Sequence, residues 1–244
     1  MDEMKTAGVI GGMGPEATVD LMQRVIRATP ARDDADHVRL IVDNNPRVPS
    51  RIRALVEGSG ESPVPCLQEM ARGLEAHGAD FLAMPCNTAH VYFDEIASSV
   101  SIPMLHMIRL AANRVCHVSG LQAAGLLASD AVLRTALYEP PFEEAGVSLF
   151  YPSPAAQKGV MEAVQRIKAG EKGPSVQERL RAAGEDLLGQ GAGVLVVACT
   201  ELSIIPEALA DLGRVVDAAQ VLAENIVDTA RGLVRLPLLE PGPR

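Results

Sequence analysis

Residues 78–86 read GADFLAMPC and residues 191–199 read GAGVLVVAC. Each begins with Gly-Ala, continues through a short apolar run and reaches a cysteine eight residues after the glycine. Aliphatic runs bounded by glycine read as buried strands of a parallel sheet. The likeness extends outward from both. Gly8, in Ala7-Gly8-Val9-Ile10, precedes Cys86 by 78 residues, and Gly125, in Ala124-Gly125-Leu126-Leu127, precedes Cys199 by 74. Downstream, Ala112-Asn113 answers Glu224-Asn225 at a similar offset. Two halves of about 110 residues therefore read as copies of one α/β unit.

Strands are expected at Thr6–Ile10, Val38–Val42, Phe81–Met84, Ile102–His106, Ala124–Leu127, Val147–Phe150, Val194–Ala198 and Arg214–Val216. Helical patterns separate them, as in βαβ units. One opens at Pro15, whose missing N–H is not needed in a first turn, and carries Ala17, Leu21, Val25 and Ile26 on one face. Residues 64–77 read as another helix. The fold class is α/β, with two similar halves, each a mostly parallel sheet flanked by helices. The tail Glu240–Arg244 reads as loose.

The 244 residues are 48% hydrophobic and 22% charged, which suits a folded globule and argues against disorder. A net charge of −9 and 3% aromatics leave nucleic acid without an electrostatic or stacking footprint. No apolar run approaches a membrane span, and the N-terminus lacks the basic stretch and apolar core of a signal peptide. Four cysteines without metal-ligand spacing suggest free thiols in a reducing cytoplasm.

The repeat places Cys86 and Cys199 just past the carboxyl ends of equivalent strands, the edge at which open α/β sheets bind ligands. If the halves face each other across a pseudo-twofold axis, the thiols approach one cleft from opposite sides. A helix beginning at each would lower the thiol pKa. Cys66 and Cys116 lack counterparts in the repeat and read as buried apolar fillers.

Three motifs in order resemble the aspartate/glutamate racemase family, in its aspartate racemase branch: Gly11-Gly12-Met13-Gly14-Pro15-Glu16-Ala17-Thr18, Met84-Pro85-Cys86-Asn87-Thr88-Ala89-His90 and Ala198-Cys199-Thr200-Glu201-Leu202. The resemblance covers most of the chain. It implies two pseudo-symmetric Rossmann-like lobes, the first spanning 1–103 plus 214–244 with Cys86, the second 104–213 with Cys199. It also implies cofactor-independent racemisation of free amino acids in an interlobe cleft, with Cys86 and Cys199 as the acid/base pair, and commonly a homodimer. Inversion needs one thiolate to remove the α-proton and one thiol to return a proton on the other face. Donors must meet the charge gathering on the substrate carboxylate. By resemblance, Asn87, Thr88 and Thr200 do this, Arg51 and Lys168 meet a side-chain carboxylate, and Met13 and Gly14 line the floor through their backbone. Helix capping competes as a role for Asn87 and Thr200, a solvated surface for Arg51 and Lys168. Arg47 is a nearby substitute. Glu201 either tunes Cys199 or favours a helix start, and His90 either orients Cys86 or packs. His106, at a strand end, is open between the same two readings.

The chain departs from the family pattern at Ala128-Ser129-Asp130-Ala131-Val132, losing a hydroxyl at Val132 and gaining an acid at Asp130, and also at Ile108-Arg109-Leu110. These departures leave the two-thiol chemistry intact and open the substrate to a neutral amino acid. Dicarboxylate isomerases or decarboxylases of the same superfamily are an alternative. Others are a small-anion binder without turnover and a redox thiol pair. Gly12-Met13-Gly14-Pro15-Glu16-Ala17 also matches the dinucleotide fingerprint, with Asp43 as the ribose acid, but Pro15 removes a donor and Glu16 opposes pyrophosphate.

Overall fold

The computed structural model describes residues 4–118 and 120–234, so the tail expected at 240–244 lies outside the described residues. Strand β1 (Ala7–Gly11) is followed by helix α1 (Pro15–Ala28), β2 (Leu40–Asn44), α2 (Val64–Ala76) and β3 (Phe81–Ala83). Helices α3 (Phe93–Ala97) and α4 (Met107–Cys116) complete the first half. The second half runs β4 (Ala123–Ala128), α5 (Asp130–Arg134), α6 (Glu139–Glu144), β5 (Ser148–Phe150), α7 (Pro154–Lys168), α8 (Pro174–Gly189), β6 (Leu195–Ala198), β7 (Val215–Asp217) and α9 (Ala218–Ala230). Two sheets form, in the orders β2-β1-β3 and β5-β4-β6-β7, and every pairing in them is parallel.

The two sheets place the halves in register. β1 and β4 are central, flanked by β2 and β5 on one side and by β3 and β6 on the other. Where the second sheet adds β7, the first has one parallel bridge, Leu82 to Met104. The strand expected at 102–106 is thus reduced to a single contact. Pro103 has no N–H for the ladder, so only its carbonyl pairs, with Leu82 N. His106 then caps α4 through the Arg109 amide and ends the extended run. β7 hydrogen-bonds to β6 of the second sheet, and α9 after it packs on α1 and α4.

Gly8 and Gly125 show why the repeat keeps glycine. A Cβ on Gly8 would stand 2.9 Å from Ala79 Cβ and 3.2 Å from Leu74 Cβ. One on Gly125 would stand 2.8 Å from Leu187 Cβ and 3.2 Å from Ala192 Cβ. In both halves the helix before the second flanking strand crosses the central strand at its glycine, and the Ala–Leu pair is closed by an amide-to-carbonyl hydrogen bond. Each half has its own apolar cluster, and a third runs between them through α1, α4 and α9. Small residues such as Ala111, Ala112, Ala219 and Ala223 let α4 and α9 pack closely across the pseudo-axis. Ile26, expected on the buried face of α1, is 54% exposed; one step past Val25 turns it about 100° away from the core. No helix among the described residues is long and apolar enough to cross a membrane.

Candidate functional site

Between the sheets, at the carboxyl ends of β3 and β6, lies a cavity of about 510 Å3, part of it open to solvent. Cys86 and Cys199 both line it, each 6% exposed and each a free thiol. Met13, Arg51, Asn87, Thr88, Lys168, Thr200 and Glu201 line it as well. Gly14 stands at its edge, where a Cβ would lie 3.6 Å from Glu201 Oε1. Ser50, Ile52, Ser129, Val164 and Ala198 complete the wall. Sequence reasoning did not select these five as site residues. Ser50 adjoins Arg51 and Ser129 sits in a segment that departs from the family pattern, whereas the three aliphatic residues carry no chemical signal.

The two cysteine turns touch across the cleft. The Thr200 hydroxyl donates to the Pro85 carbonyl at 3.2 Å, and the Thr88 and Ser129 hydroxyls are 3.4 Å apart. Buried Tyr138 donates to Asn87 Oδ1 at 2.5 Å, while Asn87 Nδ2, also buried, has no protein acceptor. Neither Asn87 nor Thr200 caps a helix with its side chain: Asn87 makes no cap bond, and the Thr200 hydroxyl is spent on Pro85. Arg51 is held by the Val48, Pro49 and Met13 carbonyls, with a buried Nε that lacks a partner. Arg47 is exposed and does not reach the cavity.

The thiols differ in their neighbours. Cys199 Sγ donates to Glu201 Oε2 at 3.1 Å, and Glu201 Oε1 lies 3.3 Å from Lys168 Nζ. Burial, followed by the Glu201 charge, pushes the Cys199 thiol well above its ordinary pKa, although Lys168 pulls the other way. The sequence expectation of a thiol lowered by a helix start is overturned here. Only a short 3-10 turn (Leu202–Ile204) follows, and a carboxylate faces the sulfur. Burial works to lower the Lys168 pKa, but Glu201, Cys199 and Cys86 outweigh it and hold the ammonium above its usual value. At the position matching Glu201, the first half has Thr88, so the two otherwise similar turns are chemically unequal.

His90 is fully buried, with Nδ1 2.9 Å from the Cys86 carbonyl and Nε2 accepting from the Met107 amide at 3.1 Å. Nδ1 therefore carries the proton and donates to Cys86. Burial, then His106, lowers the His90 pKa to about 3, so the ring is neutral. Both of its hydrogen bonds go to backbone groups, so the ring packs in the core and meets Cys86 at its carbonyl. His106 packs against the rings of His90 and Phe93 and is likewise lowered, to about 4, chiefly by burial. Asp130 accepts from Gln157 at 2.7 Å and Val132 is buried; neither lines the cavity, so the changes noted in that segment reach it only through Ser129. Cys116 is exposed in the last turn of α4 and Cys66 is half-buried, which corrects their reading as core fillers.

The glycine turn is packed against protein. A Cβ on Gly12, whose φ is +93°, would collide with the Asn45 carbonyl, and the Gly12 amide donates to Thr18 Oγ1. These glycines serve a close crossing of two chain segments, and the amide a pyrophosphate would use is occupied.

Residues 10–226 match the Asp/Glu/Hydantoin racemase family. The chain belongs to that family. It is a racemase, and so an isomerase. The chain is 26% identical to the broad specificity amino-acid racemase RacX of Bacillus subtilis over 229 residues, covering 91% of this chain and 96% of that protein. The Picrophilus torridus aspartate racemase superposes with a TM-score of 0.80 at 30% identity, over 93% of this chain and 94% of that one. Glutamate racemase isoform RacE1 from Bacillus anthracis shares the fold, with a TM-score of 0.65 at 19% identity over 95% and 83%. The racemase thus has the two-sheet α/β architecture of its structural relatives, and its cavity occupies the cleft between the sheets.

Proposed function

We propose that this racemase interconverts the enantiomers of a free amino acid, aspartate or glutamate first, by proton transfer between Cys86 and Cys199 and without a cofactor. The observation that supports this most is that both thiols, from equivalent turns of two halves, line one cavity. The Cys86 thiolate takes the α-proton from one face, and the electron pair left on Cα delocalises into the substrate carboxylate. The Cys199 thiol gives its proton to the opposite face, leaving Cys86 as thiol and Cys199 as thiolate; the other enantiomer runs the sequence backwards. Glu201, which accepts the Cys199 S–H bond, favours the protonated form of that sulfur, the form that acts as acid. Asn87 Nδ2 supplies a donor without a protein partner for the developing charge, and Arg51 a cation for a carboxylate. The family resemblance adds a homodimer as the working form, which sedimentation of the purified protein checks.

A second reading, turnover of neutral amino acids, rests on Lys168. Its ammonium is matched to buried Glu201, so Arg51 is the one cation among the described cavity residues not paired with an acid. Both readings are tested by incubating the protein with single L-amino acids in deuterated buffer without added cofactor. Loss of the α-proton NMR signal and appearance of the D-enantiomer with aspartate or glutamate supports the first. The same result with neutral amino acids alone supports the second, and exchange with none refutes both.

A further inference from the structure

Four residues past each cysteine, the chain is tied to the start of the helix that follows its sheet. In the first half this residue is His90, which joins the Cys86 carbonyl to the amide of Met107, the first residue of α4. In the second it is Ser203, whose amide donates to the Cys199 carbonyl at 3.3 Å and whose hydroxyl donates to Asp217 Oδ1 at 2.7 Å. Asp217 is the N-cap of α9 and accepts from the Ala219 amide through the same oxygen. The two ties are equivalent in position and unequal in chemistry, for only the second holds a charge. That charge is met by Arg24 of α1, whose side chain is 9% exposed. Its Nη1 lies 3.0 Å from Asp217 Oδ2, its Nη2 donates to the Ser203 carbonyl at 2.5 Å, and its Nε pairs with Asp20 at 2.6 Å. Arg24 and Asp217 therefore grip Ser203 by its backbone and its hydroxyl at once. Arg24 does not line the cavity.

We infer that Arg24 is a positioning residue: from the first lobe it fixes the Cys199–Ser203 turn of the second, through Asp217 and Ser203, and so sets where the Cys199 thiol stands in the cleft. The inference rests on the proposed two-thiol reaction for its meaning, but the clamp itself does not. A buried guanidinium with its hydrogen bonds filled is rigid, and removing one partner of such a pair leaves the other charge stranded. His90 ties the Cys86 turn to α4 without Arg24.

The test compares iodoacetamide labelling of Cys199 and Cys86 by peptide mass spectrometry in the wild type, Ser203→Ala, Arg24→Lys and the charge-free pair Arg24→Met with Asp217→Asn. The last avoids a stranded carboxylate that could prevent folding. Labelling of Cys199 is expected to rise about tenfold in the charge-free pair and less in Ser203→Ala, as local opening of the turn becomes easier, with Cys86 unchanged. Arg24→Lys, which keeps the charge but not the fork, is expected to fall between wild type and the charge-free pair. Racemisation in the charge-free pair should lose kcat by roughly tenfold with KM held, the signature of a displaced reacting group. Equal changes at both thiols, or none at Cys199, would overturn the inference. Selective labelling with no racemisation in the wild type would leave the clamp standing and refute the catalytic reading.

Discussion

At the scale of single residues, the pair of thiols is distinguished by one neighbour. Cys199 faces Glu201, whereas the matching place beside Cys86 holds Thr88. Burial and then the Glu201 carboxylate raise the Cys199 thiol, so Glu201→Gln removes the second cause and leaves the first. The Cys199 pKa is expected to fall in that variant. Because a group acting as acid is lost above its pKa, the basic limb of the kcat/KM profile should move to lower pH for the enantiomer that needs Cys199 as acid. An unmoved limb would mean that Glu201 does not govern this thiol. Tyr138→Phe removes the only protein hydrogen bond that the Asn87 side chain makes among the described residues. It should cost ~1–3 kcal/mol in urea unfolding, for a buried amide left without partners.

At the scale of elements, the strands with continuous aliphatic runs were legible from the sequence, because a strand covered on both faces has no room for polar residues. The expected 102–106 strand shrank to one bridge because Pro103 cannot donate, a local rule that the hydrophobic pattern outweighed. Ile26 was misplaced because adjacency to Val25 does not put two side chains on one helix face. The cysteine turns were legible through the repeat, which carried both chemical and positional information. Arg24 was not: its burial depends on Asp217 and Ser203, far away in sequence, and only the Asp20–Arg24 spacing hinted at a pair. Gly8→Ala tests the strand–helix crossing that underlies the repeat. The added methyl meets Ala79 and Leu74, and the variant should lose ~1–3 kcal/mol, read from the urea midpoint at constant slope. Gly125→Ala should behave alike, since its surroundings are equivalent.

At the scale of the molecule, two similar halves share an interior, and α4 and α9 join the starts of their helices to the thiol-bearing turns. Acid should loosen this arrangement. His90 and His106 have folded pKa values of about 3 and about 4, below the ordinary value, chiefly through burial. The unfolded chain therefore binds protons that the folded chain refuses. Stability should be fully present above the unfolded histidine pKa and decline as pH falls from about 6.5 toward the folded values, each ring contributing a slope of up to ~1.4 kcal/mol per pH unit. Urea titrations across that range check this, and His90→Gln should flatten the decline. The central claim is that two thiols in one cleft exchange an α-proton between opposite faces of a substrate. The measurement that tests it most directly follows chiral inversion and α-proton loss in deuterated buffer for wild type, Cys86→Ser and Cys199→Ser on the amino acid the wild type turns over. The account predicts inversion by the wild type without added cofactor and a loss of about 10^3-fold in each variant, since neither thiol can replace the other's face. Inversion at the wild-type rate in either variant would contradict it.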